Sequence, residues 1–410
     1  MLYAGYEISR WAAQPALSTS GAVARTLRGL PGSIRSKPLV RHAWAATEVM
    51  SGLRATHDRP AFGIDSVRVD AQQYAVTERE TSFSPFATRI HFRKSVELDQ
   101  PRVLVVGPLS GHFATLVRPT VRSLLSDFDV HVLTWNNARD VPAGMGGFDL
   151  EDYIAHVMLE IRGLGPDTHV LAVCQPAVPV LAAVSLLAQQ DDAAQPRSLT
   201  LIAGPIDTRI NPNRVNEFAM DKPLDYFEKY LIHTVPGSFP GAGRRVYPGF
   251  LQLSAFMSMN AKRHVSRHVD MYRALASGDT EGAQSVRTFY DEYGAIMDVY
   301  AEFYLDTVDQ VFQRHLLPQG QMSWRGEPVD PRAIRRTALL TVEGEQDDIC
   351  SPGQNRAAHD LCSSLPGRMR GHHLAPGVGH YGVFSGSRWQ AEIYPVVRGF
   401  INTHSTVAVP

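Results

Sequence analysis

Three residues far apart in the chain are of the types that nucleophilic catalysis needs. Cys174 stands between the apolar run "THVLAVC" and the longer apolar run "AVPVLAAVSLLA". A strand, a tight turn and a helix in that order make a nucleophile elbow, whose usual form is G-x-S-x-G. Strand and helix pack closely there, so the positions two before and two after the nucleophile must be compact. Ala172 and Pro176 occupy them here. Pro176 suits the start of a helix, where its missing N–H costs nothing and its φ is preset. The Gln175 N–H then lies at a helix N-terminus, ready to bind an oxyanion. The same dipole and a histidine partner would stabilise a thiolate at Cys174. Alone, the turn decides little, because an isolated buried cysteine is most often inert packing.

Partners shift the balance. Around such elbows the chain order is nucleophile, acid, histidine. "LLTVEGEQDDI" reads as a strand ending in a loop that carries Asp347, three residues past Gly344, with Asp348 as its rival. Both aspartates could instead be solvated loop charges or a helix cap. "APGVGHYGVF" sets His380 in a glycine-rich loop ahead of the last helix. A second oxyanion donor is expected from the loop "GPLSGHF" after the strand "RVLVV", with the Leu109 N–H first and Ser110 next. Any α/β chain has a turn at that point, so this loop is not specific.

Other groups carry less. His372 and His373 alternate along a strand and read as structural. His264 and His268 have i,i+4 spacing on a helix, but Lys262, Arg263 and Arg267 surround them and Asp270 is the nearest carboxylate. No zinc site is expected there. The glycines at 144–147 lack the strand-turn-helix setting of a phosphate loop. Cys350 and Cys362 read as structural. Three cysteines make neither a disulfide framework nor a metal-ligand pattern, and so sparse a set fits a reducing cytoplasm. The reading therefore includes no metal and no cofactor.

The elements that must position these residues follow from composition and patterning. The chain has 410 residues, 44% of them hydrophobic, with 40 Lys+Arg against 41 Asp+Glu. That balance lacks the basic surplus of a nucleic-acid binder. Glu7 and Arg10 interrupt the N-terminal apolar run, so no secretory signal is read. No run reaches the ~18 uninterrupted apolar residues of a transmembrane span. Residues 1–100 read as irregular helices, broken near Pro31 and Pro60, followed by period-two strands over 65–80 and 87–98 at a sheet edge. Residues 101–208 alternate continuous Val/Leu/Ile strands with helices, the mark of a buried parallel sheet. Residues 209–332 depart from this pattern. They are rich in Tyr, Phe and Met, include a long helical run over 286–317, and read as a cap insertion. Within it, residues 250–260 could line a polymer route or touch a granule, with ordinary core packing as the alternative. Residues 333–410 restore the strand pattern and end in an amphipathic helix. The fold class expected is α/β: an α/β-hydrolase fold, mostly parallel, with helices on both faces and a largely helical cap.

The blocks "VLVVGPLSGHFATLVR", "AVCQPAVPVLAAVSLLA", "AGPIDTRINPNRVN", "RRVYPGFLQ" and "TVEGEQDDI" resemble intracellular polyhydroxyalkanoate depolymerases. The resemblance runs over nearly the whole chain, from "MLY" and "PAFGIDSV" onward. It implies a Cys-His-Asp triad of Cys174, His380 and Asp347, and an acyl-thioester intermediate. It also implies hydrolysis of stored polymer, chiefly amorphous poly(3-hydroxybutyrate), at the surface of a cytoplasmic granule. CoA as acyl acceptor in place of water, a synthase-like acyltransferase and a non-catalytic granule-coat protein are the alternatives. The elbow lacks the G-x-C-x-G expected of synthases, and an intact triad argues against a mere coat protein. A homo-oligomer is left open.

Overall fold

The computed structural model describes residues 2–259 and 261–405. Met1 of "MLY", Asn260 at the end of the 250–260 stretch and residues 406–410 of the closing segment lie outside the described residues. The N-terminal region forms helices α1 (Leu2–Arg28), α2 (Gly32–Arg35) and α3 (Pro38–Gly52), with the break at Pro31 where the sequence puts it. Strands β1 (Ser66–Val69), β2 (Gln72–Phe83) and β3 (Ala87–Lys94) follow, joined antiparallel.

The segment 65–80 is thus not one strand. It folds back at Asp70, whose φ of 52° an aspartate tolerates in a tight turn. The fold-back brings Val67 and Val76 onto the same buried face.

The apolar runs then become β4 (Arg102–Val106), β5 (Asp129–Trp135), β6 (Thr168–Val173) and β7 (Ser198–Ile202). Helices α4 (Arg118–Leu124), α5 (Leu150–Leu164) and α6 (Ala177–Gln189) lie between them. Residues 209–332 add no strand to this sheet. They supply α7 (Arg214–Asp221), α8 (Leu224–Leu231), α9 (Gly249–Met259), α10 (Ala261–Ser277), α11 (Thr280–Tyr293) and α12 (Ala301–Asp306). They also form a small sheet of β8 (His233–Thr234), β9 (Arg245–Tyr247) and β10 (Val299–Tyr300), and a hairpin of β11 (Ser323–Trp324) and β12 (Glu327–Pro328). The main sheet resumes with β13 (Ala338–Gly344) and β14 (Arg370–Ala375).

The nine strands run in the order β1-β2-β3-β5-β4-β6-β7-β13-β14. From β5 to β14 every pairing is parallel, while β3 joins β5 antiparallel. Alternate residues of β4 face opposite cores. Val103 and Val105 pack with α4 and the C-terminal helix, and Leu104 and Val106 pack with α5 and α6. Helices therefore cover both faces of the sheet. This is the α/β-hydrolase fold, and its ligand crevice lies at the carboxyl ends of the parallel strands. Among the described residues, no helix is long and apolar enough to cross a membrane.

The run 286–317 is not continuous helix either. Helix α11 stops at Tyr293 because the chain must come close to residue 54: a Cβ on Gly294 would lie 2.9 Å from the Arg54 carbonyl oxygen. Residues 295–300 are then extended. Ile296 N–H donates to the Thr56 carbonyl at 2.8 Å, Met297 N–H to the Gly111 carbonyl at 2.9 Å, and Val299 pairs with Tyr247. These long-range bonds replace the helical ones. The Tyr3 hydroxyl donates to the Asp298 carboxylate, whose other oxygen accepts the Gly249 N–H at 2.9 Å. Helix α1 is thereby tied to the same segment.

Candidate active site

The turn after β6 is held at both ends. Cys174 N–H donates to the Ile202 carbonyl at 2.7 Å, and the Cys174 carbonyl accepts from Ala177 N–H at 3.0 Å. Between these bonds Cys174 adopts a φ of 69°, a left-handed conformation that is costly for any residue with a Cβ. Such strain persists only where the surroundings impose it, and it collects at functional sites. The loop after β7 crowds the start of α6 at this turn. A Cβ on Gly204 would sit 2.1 Å from that of Ala177. Pro176, with φ −55° and ψ −20°, leads directly into α6.

The loops after β13 and β14 bring the other two candidates together. Asp347 Oδ2 accepts from His380 Nδ1 at 2.8 Å. Its Oδ1 accepts the Ile349 and Cys350 N–H groups at 2.9 and 2.8 Å. The carboxylate is thus fully engaged, and both side chains are buried. Asp348, the rival acid, is exposed. His380 presents its ring to Cys174 as well as to Asp347. Burial pushes the imidazole toward neutrality, but the Asp347 carboxylate and Cys174 outweigh it and raise the pKa well above the ordinary histidine value. Tyr381 and Phe384 pack edge-on against the ring and keep it in place.

Cys174, Gln175 and His380 line one cavity of about 510 Å³, together with Leu109 and Ser110 from the loop after β4. Most of its wall is apolar, with Phe218, Phe256, Phe303 and Phe312 contributing. Clefts of about 560 to 640 Å³ open elsewhere, but neither Cys174 nor His380 lines them. Within the 250–260 stretch, Phe256 lines the cavity that holds Cys174, whereas Phe250 stacks on Tyr6 at 4.0 Å.

Cys350, read from sequence as structural, and His112, which the sequence did not single out, also line this cavity. Cys350 lies three residues past Asp347 and lines the cavity, with its thiol pKa pushed well up by burial, then by Asp347 and Cys174. His112 belongs to the quoted "GPLSGHF" run, and its place in that candidate oxyanion loop was the available signal.

Other histidines have partners of their own. His264 Nδ1 is 2.9 Å from the Tyr290 hydroxyl, His268 Nδ1 lies 2.8 Å from the His264 carbonyl, and His372 Nδ1 is 2.9 Å from Thr341 Oγ1. His91 and His131 stack at 4.2 Å beside the Asp129 carboxylate, at the N-terminal end of β5, with Arg102 next to it.

Comparison with known proteins gives the chain a family setting. The family model described as the PHB de-polymerase C-terminus matches residues 203–405, which hold Asp347 and His380. No curated protein matches the chain. Similar solved structures include a hypothetical protein from Pseudomonas aeruginosa (10% identity, TM-score 0.47, covering 86% of this chain and 99% of that one). A monoacylglycerol lipase from Paleococcus ferrophilus is 11% identical, with TM-score 0.42, and covers 74% of this chain and 95% of its own. A 2-hydroxy-6-oxo-6-phenylhexa-2,4-dienoate hydrolase from Rhodococcus sp. strain RHA1 is 12% identical, with TM-score 0.41, covering 81% and 99%. With the strand order and the matched region together, the chain is a PHB depolymerase-like α/β-hydrolase.

Proposed function

We propose that this protein hydrolyses the ester bonds of stored polyhydroxyalkanoate, chiefly amorphous poly(3-hydroxybutyrate), through a Cys174-His380-Asp347 triad. One observation carries the reading: His380 sits between the Asp347 carboxylate and Cys174 at an apolar cavity. Asp347 accepts from Nδ1–H and so leaves the other ring nitrogen free to act as base. His380 takes the Cys174 proton, and the sulfur attacks the ester carbonyl. The developing oxyanion is met by the Leu109 and Gln175 N–H groups. His380 then returns its proton to the leaving alkoxide, giving a thioester and a shortened chain. Water, deprotonated by His380, cleaves the thioester and restores the thiol.

The raised His380 pKa supports this role, since a stronger base holds the thiol proton better. In this reading residues 101–208 and 333–410 are the two halves of the hydrolase core, and residues 1–100 are N-terminal helices and edge strands. Residues 209–332 are the cap. Phe218 lines the cavity yet is 45% exposed, which suits the mouth where polymer enters from a cytoplasmic granule.

The test is to incubate the purified protein with amorphous polymer, with and without CoA, beside Cys174→Ala. Free 3-hydroxy acids or oligomers are expected from the parent protein and at least ~10³-fold less from the variant. Substantial activity in Cys174→Ala would sink the triad. Release of 3-hydroxyacyl-CoA in place of free acid would replace water by CoA as the acceptor.

A further inference from the structure

His112 is an anomaly of the cavity wall. The residue is 2% exposed, it lines the same cavity as Cys174, and neither ring nitrogen makes a well-formed hydrogen bond, the Ala295 backbone alone coming near the ring. Buried polar groups in folded proteins are nearly always satisfied, so each exception needs an explanation. Packing alone does not call for a histidine at this place. The ring lies between Phe256 (centroids 5.7 Å apart) and Tyr293 (5.0 Å), where a phenylalanine would stack equally well. The backbone of Ala295 is close enough to favour the charged ring slightly, but burial dominates and lowers the pKa to about 4. At neutral pH the ring is uncharged, with one N–H to donate and one nitrogen to accept.

We propose that His112 is a specificity-determining residue that donates a hydrogen bond to the oxygen on the third carbon of the bound acyl unit. The assignment rests on the depolymerase reading and deepens it. The wall is mostly apolar and suits the methyl and methylene groups of a 3-hydroxyalkanoate. Such a substrate differs from a plain fatty acyl ester by one oxygen at the third carbon. That oxygen is an acceptor whether it is a free hydroxyl at a chain end or the bridging oxygen of an internal ester. A single uncharged donor in an apolar wall matches it. A plain butyryl group would leave the donor unpaired, and an unpaired buried donor is costly.

The experiment compares hydrolysis of p-nitrophenyl 3-hydroxybutyrate and p-nitrophenyl butyrate, read as the ratio of kcat/KM. The parent protein should prefer the 3-hydroxy ester about tenfold or more. His112→Phe, which keeps the aromatic stack, should bring the ratio close to one, and His112→Gln, which keeps an N–H donor, should restore part of it. A merely structural histidine would change both rates together and leave the ratio alone. A parent ratio near one overturns the assignment even if both variants fail to fold. So does an unchanged ratio in folded His112→Phe, or a collapse in Ser110→Ala instead. Cleavage of both esters that survives Cys174→Ala overturns the underlying depolymerase reading, a separate result from any change in the ratio.

Discussion

Gly344 and Val378 meet backbone to backbone: a Cβ on Gly344 would lie 2.4 Å from the Val378 carbonyl oxygen and 2.9 Å from the Val383 side chain. The end of β13 and the loop that carries His380 are thus pressed together three residues before Asp347. Gly344→Ala should push these loops apart. Turnover of p-nitrophenyl butyrate should fall by about tenfold to a hundredfold, and stability by about 1–3 kcal/mol from the added volume. Full turnover would show that the two loops tolerate separation.

Asp347 and Asp348 can be told apart directly. Asp347→Asn keeps the size of the side chain but offers His380 an amide, which favours the wrong tautomer. Loss of about 10³–10⁴ in kcat is expected, with KM little changed. Asp348→Asn, at an exposed position, should stay within about threefold of the parent. Equal losses in the two variants would reassign the acid.

The left-handed backbone at Cys174 should be visible in stability. Both Cys174→Ala and Cys174→Gly remove the thiol, but only glycine relieves the strain at φ 69°. Urea unfolding should find the glycine variant more stable than the alanine variant by about 1 kcal/mol. At an unstrained strand-helix junction the order would reverse, because glycine costs more chain entropy.

Three buried histidines predict how stability depends on pH. His57 has its pKa lowered to about 2 by burial, then by Arg139 and Arg10. His112 and His169 are lowered to about 4, again chiefly by burial. Below the unfolded value of about 6.5 the unfolded chain takes up protons that the folded chain refuses. The contribution of these three should therefore be full above pH 6.5 and fall as pH drops toward 4, by up to about 1.4 kcal/mol per pH unit for each group. His380 has the opposite sign: its contribution is present below 6.5 and is lost as pH rises through its elevated folded value. The urea midpoint should drop between pH 7 and 5, less steeply in His57→Gln. A flat profile would mean that these rings are solvated.

The alternation of apolar strands and helices made the parallel sheet legible from sequence, since strands buried on both faces leave continuous Val and Leu runs. Cys174, Asp347 and His380 were legible as candidates because each stands in a loop at the end of such a strand or just before the last helix. What stayed hidden depends on contacts between distant segments. Gly294, directly after Tyr293, is a helix-stop residue, but the aromatic spacing continues past it and masks the break. The approach of Gly294 to Arg54 and the bonds from Ile296 and Met297 fix the chain as extended there. The place of His112 in the cavity is likewise set by Phe256 and Tyr293, both more than a hundred residues away.

The extended segment 295–300 bonds to residue 56, to the loop holding Leu109 and His112, and to β9. It therefore sets limits on redesign. An engineer who exchanged the 209–332 insertion for that of another hydrolase would also remove the backbone edge on which the loop after β4 rests. Substrate choice and turnover would be inherited as one block. A graft that retained this short edge and replaced only the helices around it would be the smallest modular unit.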